Sequence, residues 1–126
     1  MTHILLIEDN EEIRENMVET LEFAGYQVTA AVNGKNGLAL ALATSPNVIL
    51  CDILMPEMDG YEVFSLLRSN KSTSRIPFIF VTATAEKKDI EAAIAMGVDG
   101  YLCKPFEPND LFAIITQALD RSIIYG

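Results

Sequence analysis

An α/β fold, a parallel sheet covered by helices on both faces, is predicted by two observations. Short apolar runs alternate five times with stretches of helical spacing along the 126 residues. The run Val48 to Cys51 is continuously apolar and soon meets Pro56, Asp59 and Gly60, as a strand buried on both faces reads.

The elements follow in order. His3 to Ile7 is a short apolar strand that ends in Glu8, Asp9 and Asn10. Ile13, Met17, Leu21 and Ala24 then recur at helical spacing, and Gly25 stops the helix. Gln27 to Val32 is a more polar strand, suited to a sheet edge. Asn33-Gly34 turns the chain into a helix carrying Leu38, Ala41 and Leu42, which ends before Pro46. The third strand is Val48 to Asp52. Asp59 with Glu62 three residues on resembles a capping box, opening a helix that packs Val63, Phe64, Leu66 and Leu67. Asn70 to Arg75 reads as a polar loop before the fourth strand, Phe78 to Val81, which ends at Thr82. Glu86 to Met96 is helical, with Ile90, Ala93 and Ile94 on one face and Gly97 as its stop. Tyr101 to Cys103 is the fifth strand, ending at Lys104-Pro105. A last helix opens near Pro108 and carries Leu111, Ile114, Ile115 and Ala118. Residues 1–121 form one domain, with 122–126 expected as a tail or the start of a linker.

Composition narrows the functional classes. Hydrophobic residues make up 50% and charged residues 21%, a globular balance. The net charge of -9 offers no basic stripe to a phosphate backbone, so direct nucleic-acid binding is not expected. No apolar run is long enough to cross a membrane and no secretion signal is evident, so a cytoplasmic protein is expected. Cys51 and Cys103 fit a reduced compartment as apolar filler. With a third strand between theirs, they would stand about 10 Å apart, too far for a disulfide.

In a parallel sheet all strand C-termini emerge on one rim, where such folds bind ligands. Standing there are Glu8 and Asp9 after the first strand, Asp52 after the third, Thr82 after the fourth and Lys104 after the fifth. Clustered carboxylates repel unless a cation joins them. An all-oxygen set suits Mg²⁺, which is commonly shared with a phosphate. A carboxylate can also serve as a phosphoryl nucleophile, while a lysine and a hydroxyl stabilise the transferred group.

Four motifs stand in order: Ile-Glu-Asp-Asn at 7–10, Asp-Ile-Leu-Met-Pro-Glu-Met-Asp-Gly at 52–60, Val-Thr-Ala at 81–83 and Lys-Pro-Phe at 104–106. Together they resemble the receiver domain of two-component response regulators, from about Thr2 to Leu119. The resemblance implies a flavodoxin-like, doubly wound (βα)5 sheet in strand order 2-1-3-4-5. It implies that Asp52 is the phosphoacceptor, served by the phosphohistidine of a sensor histidine kinase or of a histidine phosphotransfer protein. Glu8, Asp9, Asp52 and the backbone carbonyl of Leu54 would hold Mg²⁺, and Lys104 would bind a phosphoryl oxygen. Thr82 would turn toward the phosphoryl group, Tyr101 would rotate inward as the switch, and Lys104-Pro105 would be cis. The output surface, about residues 85–120, would then control a downstream protein or output domain, as a monomer or a phosphorylation-linked homodimer. Leu54 and Thr84 would flank the approach of water, with Ala83 leaving the phosphoryl path open. Beyond self-phosphotransfer and slow autodephosphorylation, no enzyme activity is expected.

Three rivals fit less well. A phosphatase of the aspartate-nucleophile type wants a second acid two residues after the nucleophile, where Leu54 stands. A flavodoxin-like cofactor binder wants a Ser/Thr/Gly-rich loop in place of Glu8-Asp9-Asn10. A receiver kept only as a scaffold would not need Asp52, Thr82 and Lys104.

Overall fold

Strands and helices alternate along the whole chain in a computed structural model that describes residues 1–125, with side chains through Arg121. The expected tail at 122–126 falls outside the described side chains, and Gly126 outside the described residues altogether. The elements are β1 (His3–Ile7), α1 (Glu11–Phe23), β2 (Gln27–Ala31), α2 (Gly34–Thr44) and β3 (Val48–Cys51). They continue as α3 (Gly60–Ser69), β4 (Phe78–Thr82), α4 (Lys87–Met96), β5 (Gly100–Cys103) and α5 (Pro108–Tyr125).

All five strands are parallel, in the order β2-β1-β3-β4-β5. This is the doubly wound sheet the sequence predicts. The polar strand β2 lies on an edge, while β1, β3 and β4 are buried almost throughout. From β1 the chain first moves outward to β2 and then crosses back to β3. The crevice beyond β1 and β3 is therefore the topological switch point, where ligands of such sheets bind.

Two apolar layers sandwich the sheet. One gathers Phe64, Phe78 and Phe80 with Ala41, Val63 and Ala93 from the helices α2, α3 and α4. Its rings meet edge to face, Phe64 to Phe78 at 5.1 Å and Phe78 to Phe80 at 5.3 Å between centroids. The other packs Met17 and Leu21 of α1 and Leu111, Ile115 and Ala118 of α5 against Ile4, Leu6 and Val81.

Helix ends follow local chemistry. Asn10, Asn33 and Asp59 each accept a hydrogen bond from the backbone N–H three residues on, capping α1, α2 and α3. Gly25 follows α1 at φ 96°, a left-handed conformation that a side chain would strain.

Three apolar residues expected to pack are instead exposed: Leu42, Leu66 and Ile94. In α2 the reason is close approach. Gly37 lies so near β1 that a Cβ there would fall 2.5 Å from Ile7 Cδ1, so the inward stripe runs through Gly34, Gly37 and Ala41. Leu42 then points away. In α3 the stripe is Gly60, Val63, Phe64 and Leu67, which rotates Leu66 outward, and in α4 only Ala93 is buried. Within the polar loop before β4, Thr73 is buried and its hydroxyl donates to the Leu67 carbonyl at 2.7 Å.

Candidate functional site

The strand ends bring the expected residues together. Ile7 and Cys51 are register partners, so the residues after them, Glu8 and Asp52, leave the sheet side by side. The backbone N–H of Asp52 donates to the Ile7 carbonyl at 3.0 Å, fixing that adjacency. Ligand oxygens of Glu8, Asp9 and Asp52 lie within 4.8 Å of one another. Glu8 is 2% and Asp52 8% exposed, whereas Asp9 faces solvent.

Lys104 answers the buried charge. Its Nζ donates to Glu8 Oε1 at 2.5 Å and to Asp52 Oδ2 at 3.0 Å. Its own position is set by the sheet edge, where its N–H donates to the Thr82 carbonyl at 2.8 Å. The peptide bond from Lys104 to Pro105 is cis, as expected. Burial pushes the Glu8 pKa up, against the opposing pull of Lys104. Burial also works against the charge on Lys104, but its bonds to Glu8 and Asp52 leave its pKa raised overall.

Gly60 packs closely against the main chain of Asp52 and Ile53. Any Cβ at this position would collide with the carbonyl oxygen of Asp52 and come within 2.8 Å of Ile53 Cα. The Gly60 N–H donates to the Ile53 carbonyl at 2.9 Å and closes the loop. In that loop Leu54 N–H approaches Asp52 Oδ1 at 3.3 Å, while the Leu54 side chain is 63% exposed. Glu57 takes a left-handed φ of 68°, uncommon for a side-chain-bearing residue.

Thr82 is fully buried, and its hydroxyl has no hydrogen-bond partner. Leaving such a group unsatisfied costs about 1–3 kcal/mol. Tyr101 stands half-buried, its ring 6.3 Å from that of Phe80, and its hydroxyl donates to the Thr84 carbonyl at 2.8 Å. Cys103 approaches the same carbonyl at 3.5 Å, and Cys51 donates to the Asp52 carbonyl at 3.2 Å. Both thiols are free, on strands separated by β4. The donor set of three carboxylates fits a hard cation such as Mg²⁺.

Arg14 was not singled out in the sequence, because nothing in its spacing marks it. Its Nη1 donates to the carbonyls of Glu8 at 2.9 Å and Asp9 at 3.4 Å. His3 and the loop methionines take ordinary places, His3 Nε2 lying 2.7 Å from Thr29 Oγ1 and Met55 being buried.

At the switch point of a doubly wound sheet, one carboxylate is thus flanked by two more and gripped by a lysine. The chain belongs to the response regulator receiver domain family, whose profile matches residues 4–116. Members of this family act in phosphorylation-dependent signalling, not as turnover enzymes, and bind Mg²⁺ at an acidic pocket. Among similar proteins, the probable transcriptional regulator ycf29 of Pyropia yezoensis is 38% identical over 121 residues, covering 96% of this chain and 54% of that protein. The response regulator SaeR of Staphylococcus aureus is 35% identical over 121 residues, covering 96% and 52% respectively. The chain thus spans about half the length of these relatives. A CheY-like receiver domain protein from Methanospirillum hungatei superposes with a TM-score of 0.90 at 30% identity, over 100% of this chain and 99% of that one. Chemotaxis protein CheY4 of Vibrio cholerae gives 0.88 at 30% identity, over 94% and 98%. Among the described residues, no helix is long and apolar enough to cross a membrane.

Proposed function

We propose that Asp52 accepts a phosphoryl group from the phosphohistidine of a sensor histidine kinase or histidine phosphotransfer protein, in the cytoplasm, and so switches a downstream protein or output domain. A carboxylate oxygen of Asp52 would form a bond to phosphorus as the phosphorus–nitrogen bond breaks, the imidazole nitrogen keeping the electron pair. Glu8, Asp9, Asp52 and the Leu54 carbonyl would hold Mg²⁺, whose charge offsets that of the carboxylates and the phosphoryl oxygens.

The observation that carries this reading is the state of Lys104 and Thr82, the polar residues at the ends of β5 and β4. Lys104 already holds Asp52 at 3.0 Å, and the Thr82 hydroxyl is buried with nothing to donate to. A phosphoryl group supplies acceptor oxygens for both. Lys104 would exchange carboxylate for phosphoryl oxygen, and Thr82 would gain the hydrogen bond it lacks. Tyr101 is tied to the Thr84 carbonyl, two residues beyond Thr82, so a shift of Thr82 would act on Tyr101. The surface of α4, β5 and α5 would then favour a different population. Phosphorylation-linked pairing of two copies through that surface belongs to the same proposal.

Acetyl phosphate with Mg²⁺ tests the proposal by intact mass. The expected result is the gain of one phosphate, absent in Asp52→Asn and abolished by a chelator. No mass gain, or a gain that persists in Asp52→Asn, would overturn it.

A further inference from the structure

We propose that Arg14 is a positioning residue for the metal-binding carboxylates, acting through the main chain of the loop between β1 and α1. The inference rests on the reading of Glu8, Asp9 and Asp52 as an Mg²⁺ site and extends it to a residue that touches none of their carboxylates.

Arg14 lies one turn into α1, a helix with Glu11 and Glu12 in its first turn and Glu15 and Glu19 beyond. Of these only Glu11, three residues before, stands at the helical spacing for an ion pair with Arg14. Among the described residues Arg14 forms no such ion pair. Its guanidinium turns back instead, with Nη1 donating to the Glu8 carbonyl at 2.9 Å and, more weakly, to the Asp9 carbonyl at 3.4 Å. Carbonyls of successive residues in extended chain point to opposite sides. Here one nitrogen reaches both, so the chain is held bent where it passes from strand to helix.

That bend separates the roles of the two acids. Glu8 is buried, and its carboxylate is fixed at both ends, by Lys104 on Oε1 and by the Asn10 N–H at 3.2 Å on Oε2. Asp9 is exposed, yet its ligand oxygen stays within 4.8 Å of those of Glu8 and Asp52. The main-chain grip of Arg14 keeps Asp9 directed to the cluster. Groups that orient a metal's ligands typically contribute about 10- to 100-fold in metal affinity.

Calorimetric titration with Mg²⁺ alone distinguishes this role from two others. For Arg14→Met, the Mg²⁺ dissociation constant should rise about ten-fold. For Arg14→Lys, which keeps the charge and one donor nitrogen but not the reach and fixed orientation of the guanidinium, it should rise by less. A purely Coulombic role gives the opposite order, since removing a nearby cation tightens Mg²⁺ binding in Arg14→Met and Arg14→Lys stays parental. A purely structural role lowers the metal-free melting temperature and leaves the affinity of the folded protein untouched. The half-saturating Mg²⁺ concentration for acetyl phosphate labelling should move by the same factor as the dissociation constant. Parental or tighter binding in Arg14→Met overturns the proposal. Should that variant fail to fold, Arg14→Lys decides: weakened binding supports the role and parental binding overturns it. A parent protein that takes up no Mg²⁺ brings down the metal site itself, an outcome separate from variants that match a binding parent.

Discussion

Leu54 stands 63% exposed beside Asp52, its N–H 3.3 Å from Asp52 Oδ1. An aliphatic side chain offers an attacking water no hydrogen bond, whereas an asparagine offers both donor and acceptor. Phosphorylated Leu54→Asn is therefore expected to lose its phosphate several-fold faster than the parent, as followed by intact mass after removal of the donor; equal lifetimes would remove Leu54 from the account. Three residues on, Glu57 takes φ 68° in the same loop. The left-handed conformation costs a side-chain-bearing residue roughly 1–2 kcal/mol, and glycine escapes it at an entropic cost of roughly 0.5–1 kcal/mol. Glu57→Gly should thus raise stability by up to about 1 kcal/mol in urea denaturation. A lowered midpoint would show that Glu57 makes a compensating contact. Tyr101 carries a pH signature, its pKa pushed up from 10.0 to about 12, chiefly by burial. The folded chain keeps the phenol proton where the unfolded chain has released it, so stability is full below pH 10 and falls as pH rises toward 12. Lys104, also raised, acts in the same direction. Tyr101→Phe should make that alkaline fall shallower, and an unchanged slope would contradict the assignment.

Among the elements, α3 connects stability to the site most directly. Its cap, Asp59, accepts from the Glu62 N–H at 2.9 Å, and the next residue, Gly60, carries the Asp52 backbone on its bare Cα. Asp59→Ala should cost about 1 kcal/mol of stability by denaturant midpoint. An unchanged midpoint would mean that the packing of Val63, Phe64 and Leu67 alone holds the helix. Sequence patterning located this element well because Asp59 and Glu62 are adjacent signals within one turn. It was less informative about which apolar residues face inward. Leu42, Leu66 and Ile94 each neighbour a buried position, Ala41, Leu67 and Ala93, and a neighbour lies about 100° away around a helix. The choice between neighbours depends on how close the helix sits to the sheet, and Gly37 against Ile7 sets that distance for α2.

At the scale of the whole molecule, chemistry and stability sit at opposite ends of the sheet. At the strand C-termini stand Glu8, Asp52, Thr82 and Lys104. At the other end Asp99 binds the N–H of Phe78 at 2.8 Å and Arg68 at 2.9 Å, while Arg121 donates to its carbonyl at 3.0 Å. Arg68 also reaches the Ile76 carbonyl at 2.6 Å and lies 4.7 Å from the centre of the Phe64 ring. The Asp99 carboxylate thereby joins α3 to β4, and its main-chain carbonyl holds α5 beside the start of β5. Asp99→Ala should cost about 1–3 kcal/mol, because it strands a backbone N–H and a guanidinium. Mg²⁺ titration of the folded variant should match the parent; weakened Mg²⁺ binding would show that the two ends are coupled.

The sequence by itself determined the alternation of strands and helices, the caps, and the acids, hydroxyl and lysine at the strand ends. Those signals are local: apolar period, turn residues and the polar residue that follows each run. Only the tertiary structure decided which strand ends meet. The crossover from β2 back to β3 places Glu8 beside Asp52, although they lie 44 positions apart in the sequence. It also revealed the Lys104 bridge, the unpartnered Thr82 hydroxyl and the hold of Arg14 on two carbonyls. Such contacts depend on distances through space that spacing along the chain does not encode, because the energy of a buried charge or an unmet hydroxyl is fixed by the neighbours that packing brings to it.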